Sequence, residues 1–461
     1  MSLREGAPRR GEEVTVDIVD LAFGGRGVGR VAGFVVFVEG ALPGESVRAR
    51  VLRVKAGYAE AVAGRVLSRS PERIDPPCRH YGTCGGCDLQ HLAPAAQAEA
   101  KGLQVRAMLT RIAGLADPPV EPAVVAGTPT AYRFRMDFDW GTGSDGRPIL
   151  GLHGAGRPEE IVPIERCLLM PDLANAIRGF AAERTRRLGL AAWDRKRRRG
   201  LLRRLGLQMA QGTGEVLVTL ESGRGDPPAL AELARDLVRA FPRVVGVVRR
   251  EFDRLDRLVG ESILFGRDHL FEEVEGDRLK VPAGSFFQPN APGAARLRQV
   301  VLAALDAGAH ESILELHCGV GFFSLPVARR ARQVTGLDVS REAVAAARDN
   351  AARAGLANTR FLCRDVEESL PELLRETGPD ALLLDPPRTG LPRTATQAIA
   401  TAAVARVVYV SCDPATLARD IRLLGEKGGL RLRSVTPLDL FPQTHHLECV
   451  ARLERMVVRS L

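Results

Sequence analysis

Nowhere does the chain carry a run of about 20 apolar residues, the length a helix needs to cross a bilayer. Its opening stretch, MSLREGAPRRGEE, also lacks the apolar core of a secretory signal. Both absences set the expectation of a cytoplasmic protein with no membrane partner. Cysteines are few, eight in 461 residues, at 78, 84, 87, 167, 318, 363, 412 and 449. In a cytosolic setting they argue against a disulfide scaffold and for metal binding or catalysis. An excess of acid is absent as well. The 65 Lys+Arg against 56 Asp+Glu give a net charge of +9, which suits a polyanionic partner. Arginine dominates that surplus and is densest at RTRR (184–187), RKRRR (195–199) and RR (203–204). Planar guanidinium groups favour bidentate contacts with phosphate and bases, although a merely solvated face would read the same way.

What is present is ordinary globular composition, 45% hydrophobic and 26% charged, in a chain long enough for two to four domains. Residues 12–66 alternate short strand patterns with glycine turns, among them GGRGVGR (24–30). Five short strands in so little chain predict a small OB-like barrel, a common nucleic-acid platform. SPERIDPPC (70–78) marks a boundary. A helix is predicted over 96–115, strands dominate 130–285, and another helix fills 229–241.

From Ser312 the pattern turns to regular strand–helix alternation. Strands are predicted at 312–317, 334–339, 359–363, 381–387, 406–412, 431–441 and 448–456. Helices are predicted at 323–332, 341–354, 366–375, 393–403 and 415–424. The last two strands lie too close for a crossover helix and should run antiparallel. Seven strands ending in an antiparallel pair describe a class I methyltransferase, a Rossmann-like α/β fold, better than a dehydrogenase sheet.

The candidate site sits on one edge of that sheet. VYVSC (408–412) reads as a buried strand, and Pro414 suits the first turn of a helix. Cys412 therefore ends a strand where a helix begins, a place where α/β folds put their ligands. A thiol near a helix N-terminus can ionise and attack; a small buried filler is the plainer reading. The glycine turn LELHCGVGFFSL (314–325) follows the first strand, with Gly319 and Gly321 able to bring backbone close to a ligand. Ser324 stands where a dinucleotide fingerprint has its third glycine. Asp338, Asp365 and Asp385 end the second, third and fourth strands. One acid at a strand end is often only a helix cap; three on the same edge are harder to explain so. Asp338 suits ribose hydroxyls and Asp365 an adenine edge. SFFQPN (285–290) precedes this sheet, and HHLECV (445–450) opens its last strand with Glu448 as a candidate proton acceptor. His445 and His446 make an improbable metal pair, since neighbours on a strand face opposite ways.

Cys78, Cys84 and Cys87, with the distant Cys167, supply four thiolate ligands in a glycine-rich loop, CRHYGTCGGC. They suit tetrahedral zinc or a cubane iron–sulfur cluster. Zinc sites more often use two CxxC pairs, so the spacing leans to iron–sulfur.

With SFFQPN, DPPRTGL, YVSCDPATLARD and HHLE in this order, and the CxxxxxCxxC cluster before them, the chain resembles the RNA uracil-5-methyltransferases. It looks closest to their 23S rRNA branch, which carries a TRAM domain and a [4Fe-4S] cluster. The resemblance covers nearly the whole chain. It implies a TRAM domain at 10–67, a central domain with the cluster at 68–284 and a methyltransferase domain at 285–461. It makes Cys412 the nucleophile and Glu448 the base. Gln288, His317, Asp338 and Asp365 would hold S-adenosylmethionine, Asp385 would line the reaction site, and Cys78, Cys84, Cys87 and Cys167 would ligate the cluster. Phe322 departs from the family, which usually has Asn there. The expected partner is RNA, 23S rRNA before tRNA, and the expected state is a monomer. Two rivals stand against this reading. One is an amino-group methyltransferase, which Arg388 after Asp-Pro-Pro disfavours; the other is a non-catalytic RNA-binding or iron–sulfur sensing protein.

Overall fold

The computed structural model describes residues 7–225 and 227–456. Residues 1–6 of the opening stretch and 457–461 of the expected third domain lie outside the described residues. No described helix is long and apolar enough to cross a membrane.

Strands Glu13–Ala22, Arg26–Val31, Phe34–Glu39, Ser46–Val54 and Tyr58–Ser68 close into the expected five-stranded barrel. Period-two patterning builds it: Val14, Val16 and Ile18 point inward with Val36, Val38 and Val47, while the residues between them face solvent. The glycines of the first hairpin are a packing requirement. A Cβ at Gly29 would lie 2.4 Å from the Asp17 carbonyl oxygen.

The central region folds as a seven-stranded sheet from Arg135–Thr142 to Leu258–Gly266. Met136, Phe138, Leu205, Leu207, Val218 and Leu220 on one face share a core with helices Asp172–Arg187 and Pro227–Ala240. The opposite face carries Arg135, Asp137, Arg204 and Glu221 and is open.

The last sheet has eight strands, not seven. Its order is Thr359–Cys363, Gln333–Asp338, Ser312–Leu316, Ala381–Leu384, Arg406–Ser411, Glu448–Arg455, Leu430–Asp439 and Val124–Val125. The first five run parallel and the Glu448 strand pairs antiparallel with both neighbours. The eighth member is a two-residue strand from the segment after helix Pro94–Ala113. Two residues carry no periodicity, so no sequence pattern marks it. That helix packs on helix Pro414–Gly428 and strand Leu430–Asp439, fixed by a buried ion pair of Lys101 with Asp439 at 2.6 Å. The helix expected over 323–332 shrinks to Ser324–Ala328. Ser324 is the reason a third glycine is absent: its hydroxyl donates to the buried carboxylate of Glu315 in the first strand.

Candidate active site

Register places the two central groups. Ser411 pairs with Cys449 and Val410 with Val450 in the antiparallel ladder. Cys412, one residue further, therefore stands opposite Glu448, and directly opposed residues share a face of the sheet. Asp413 caps the following helix, accepting from the Ala415 and Thr416 amides at 2.9 Å each, and so fixes the turn in which Cys412 sits.

The thiol is not poised as an anion. Burial first, and then the Glu448 and Asp385 carboxylates against the pull of Arg388, push it up to about 11. Burial and the neighbouring carboxylates thus work against the ionisation that a helix N-terminus favours. Glu448 is only 5% exposed, and burial, with Asp385, holds its carboxyl well above the usual range against Arg388. Asp385 is pushed up to about 7 by burial and by Asp338. Three acidic groups thus share one small region with a single cation, Arg388, acting on Cys412 and Glu448. Like charges at close range cannot all ionise together.

The cofactor candidates occupy the adjoining strand ends. The strand order reverses between the parallel strands Ser312–Leu316 and Ala381–Leu384, where open α/β sheets bind ligands. His317 adopts φ of 62°, and Gly319 and Gly321 follow at 53° and 85°. This left-handed run turns the chain back over the sheet edge; nothing lies within 4 Å of a Cβ built on Gly319. Asp338 accepts from the Gly319 amide with one oxygen and the Ser340 amide with the other, at 2.9 Å each. It orients the turn and caps no helix. Asp365 does cap one, accepting from the Glu368 amide at the start of helix Val366–Thr377, so the argument from three uncapped acids holds for two. Burial lowers the His317 imidazole, while Asp338 and Asp365 raise it. Buried Gln288 Oε1 and His317 Nε2 have no hydrogen-bond partner among the described residues. Orphaned polar atoms beside an open glycine turn and a ribose-type carboxylate fit S-adenosylmethionine. Phe322 points away, buried between Phe287 and Phe323 with the Arg298 guanidinium 5.0 Å from its ring.

SFFQPN divides its side chains by task. Phe287 enters the core, Gln288 is buried, and Asn290 caps helix Ala291–Leu305 through the Gly293 amide. Phe286 is 65% exposed and lines a cavity of about 680 Å³ with Cys412, Glu448, Arg388 and His446. Phe286 and Arg388 were in view as parts of motifs, but nothing in the sequence shows that they face Cys412. His445 and His446 lie in a loop ahead of the last strand, not in it, so they do not face opposite ways. Their rings touch at a tilt of 47° with centroids 4.0 Å apart; His445 Nδ1 meets Asp88 at 2.6 Å and His446 faces Arg388.

Cys78, Cys84, Cys87 and Cys167 line the same cavity and none is in a disulfide. The glycines of their loop permit close contact: Gly85 donates its amide to the His153 carbonyl, and a Cβ at Gly86 would sit 3.4 Å from the Cys84 sulfur. Burial raises Cys84 and Cys167, and burial with the neighbouring thiolates pushes Cys87 up to about 12. Among the described residues no group of three His, Cys, Asp or Glu is drawn together as a single metal ion needs. The four thiols share the lining of one cavity, and as soft donors their chemistry suits an iron–sulfur group.

Residues 249–456 match the family model described as tRNA (Uracil-5-)-methyltransferase, and residues 9–63 match the TRAM domain. An uncharacterized RNA methyltransferase of Gloeobacter violaceus is 38% identical over 98% of this chain and 98% of its own length. One from Nostoc is 35% identical over 96% of each. Among solved structures, the Pyrococcus abyssi tRNA (uracil-54, C5)-methyltransferase with S-adenosyl-L-homocysteine aligns with TM-score 0.74 at 26% identity. It covers 95% of this chain and 100% of that one. A thiol facing a carboxylate on the ligand edge of a methyltransferase sheet, behind a TRAM barrel, agrees with each of these likenesses, and the chain belongs to the RNA uracil-5-methyltransferase family.

Proposed function

We propose that the protein methylates carbon 5 of a specific uridine in RNA through a covalent bond between Cys412 and carbon 6 of the base. The observation that carries this reading is the cross-strand pairing of Cys412 with Glu448 in one open cavity. Carbon 5 of uracil is too weak a nucleophile to take a methyl group unaided. Addition of the Cys412 thiolate to carbon 6 moves the ring's π electrons into an enolate and makes carbon 5 nucleophilic. Arg388, the cation beside the thiol and Glu448, stabilises the thiolate and the developing enolate charge. S-adenosylmethionine, when bound at Gln288, His317, Asp338 and Asp365, supplies the methyl group as a sulfonium. Glu448 then takes the carbon 5 proton, and the electrons of that bond expel the Cys412 sulfur. A carboxylate with raised proton affinity is the stronger base for a carbon acid. Asp385 lines the reaction site. In this division of labour residues 10–67 hold RNA, 68–284 carry a [4Fe-4S] cluster on Cys78, Cys84, Cys87 and Cys167, and 285–461 perform the transfer. The cluster's place is structural, since nothing in the transfer needs an electron.

The finer proposal for the target is 23S rRNA, from the resemblance of the motifs and cluster. A tRNA target is the second reading. The Pyrococcus neighbour, named for a tRNA uracil, spans 95% of this chain, so barrel and central sheet do not by themselves separate the two targets. The deciding experiment mixes the protein with 5-fluorouridine RNA and S-adenosylmethionine, because the fluorine blocks the last proton transfer and strands the adduct. A denaturant-stable complex that Cys412→Ala abolishes supports the mechanism; full methylation by Cys412→Ala sinks it. Mass mapping of 5-methyluridine in rRNA and tRNA from a deletion strain decides the target.

A further inference from the structure

The basic run that dominates the sequence does not act as one patch. Arg184 is held by Glu232 and Asp236, Arg187 by Glu183 and Arg203 by Asp256; Arg204 lies 3.3 Å from Asp139. Arg195 and Arg197 also stand beside acids. Arg198, Arg199 and Arg254 are exposed and make no direct ion pair among the described residues, although Asp194 lies near enough to Arg199 to feel its charge. These three line one cavity of about 650 Å³ with Trp193 and Phe252. The hairpin that presents two of them is closed by the Asp194 amide on the Arg199 carbonyl, and Arg198 takes the left-handed φ of 52°.

That cavity connects to the reaction site. It shares Trp193 and Phe252 with a second cavity over the open face of the central sheet, and the second shares His153 and Pro158 with the cavity holding Cys412. From His153 to Phe252 the path crosses four strand spacings in the order of the sheet, roughly 19 Å. Over the middle, acids and arginines neutralise each other; at the far end positive charge is left unbalanced. A strand fixed at Cys412 by its reacting base would pass Lys196 in the second cavity and meet the cluster of three arginines at the far end.

We propose that this groove is a track for single-stranded RNA, in which Arg198, Arg199 and Arg254 bind backbone phosphates a few nucleotides from the uridine at Cys412. The inference rests on RNA being the substrate and adds where its flanking strand lies. Single-strand sites combine such a basic groove with aromatic platforms, and Trp193 and Phe252 supply the aromatics.

The test is the triple variant R198Q/R199Q/R254Q in the full chain, with binding of a short and a long labelled oligouridylate followed by anisotropy across a salt series. The long probe should bind about tenfold or more weaker, with a log–log salt slope smaller by about two, since each lost single-strand contact is worth about 0.7. The short probe, which fills only the Cys412 cavity, should bind as before, and kcat on the methylated RNA should hold while KM rises. An unchanged melting temperature and unchanged S-adenosylmethionine binding show that the fold is intact. Equal salt slopes for variant and wild type on the long probe overturn the track. Failure of the wild type to methylate any RNA overturns the proposed reaction instead, and the binding arm still decides the track by itself.

Discussion

Replacing Glu448 by Gln separates the two halves of the proposed reaction. Glu448 is buried, faces Cys412 across the ladder, and accepts no hydrogen bond from a described protein donor. After burial its charge is the largest influence holding the Cys412 thiol up near 11. Glutamine keeps the shape and removes the carboxylate's influence, so the thiol should fall while burial still holds it above its ordinary value, and addition to carbon 6 should not slow. Release should. A positioned base contributes about 10²–10⁴ in rate, which at 1.36 kcal/mol per decade is roughly 3–5 kcal/mol of barrier on the carbon 5 proton. Addition kept and elimination lost means that the methylated adduct accumulates on ordinary uridine RNA, without fluorine. The assay is a denaturing gel with methyl-labelled S-adenosylmethionine, in which label should run with the protein–RNA complex at near stoichiometric yield. Iodoacetamide titration of Cys412 across pH should show its reaction onset at lower pH in the variant. Wild-type turnover by E448Q would refute the role of base. Loss of methylation without any adduct would refute the order of steps.

Other perturbations test neighbouring groups. Asp385 is raised in the folded chain to about 7 from an unfolded value near 3.9, so its contribution to stability is present below pH 4 and lost as pH rises through 7. D385N should therefore match the wild type in urea melts at low pH and exceed it by roughly 2–4 kcal/mol at pH 8, while methylation falls; equal melts at both pH values would refute the raised carboxyl. Lys101→Met should destabilise by about 3–5 kcal/mol by leaving Asp439 charged and buried, and Asp439→Leu in addition should restore most of it; a single variant as stable as the double would show that the pair is not coupled. Cys87→Ser should purify without the brown chromophore and with iron and sulfide lost together. A metal content near one zinc per wild-type chain would replace the cluster with a zinc site.

The regular elements were legible because each carries a period longer than its own end effects. Parallel strands such as Ala381–Leu384 are wholly buried and read as apolar runs, and Pro414 and Asp413 announce their helix from the sequence alone. Cys412 and Glu448 were legible for a related reason: both lie at ends of strongly patterned strands, where position implies the ligand edge. What the sequence did not show depends on contacts made across distance. The raised thiol of Cys412 follows first from its burial, which no local pattern encodes, and then from a carboxylate 36 positions away. Asp365 and Asp338 look alike in sequence, yet one caps its own helix and the other orients the glycine turn of a neighbouring strand; only the amides that reach them differ. The arginines make the same point most strongly. RKRRR reads as a uniform positive run, but acids from separate strands and loops pair with most of the surrounding arginines and with Arg195 and Arg197, which leaves Lys196, Arg198 and Arg199 of the run without an ion pair among the described residues. A charge run in sequence counts donors, whereas binding depends on the donors left over after folding. The open charge at Arg198 and Arg199 is therefore a property of the tertiary fold, and a sequence with the same composition but without Asp139, Glu221 and Asp256 would present a broad, unspecific basic face instead of a grip at one end of a groove.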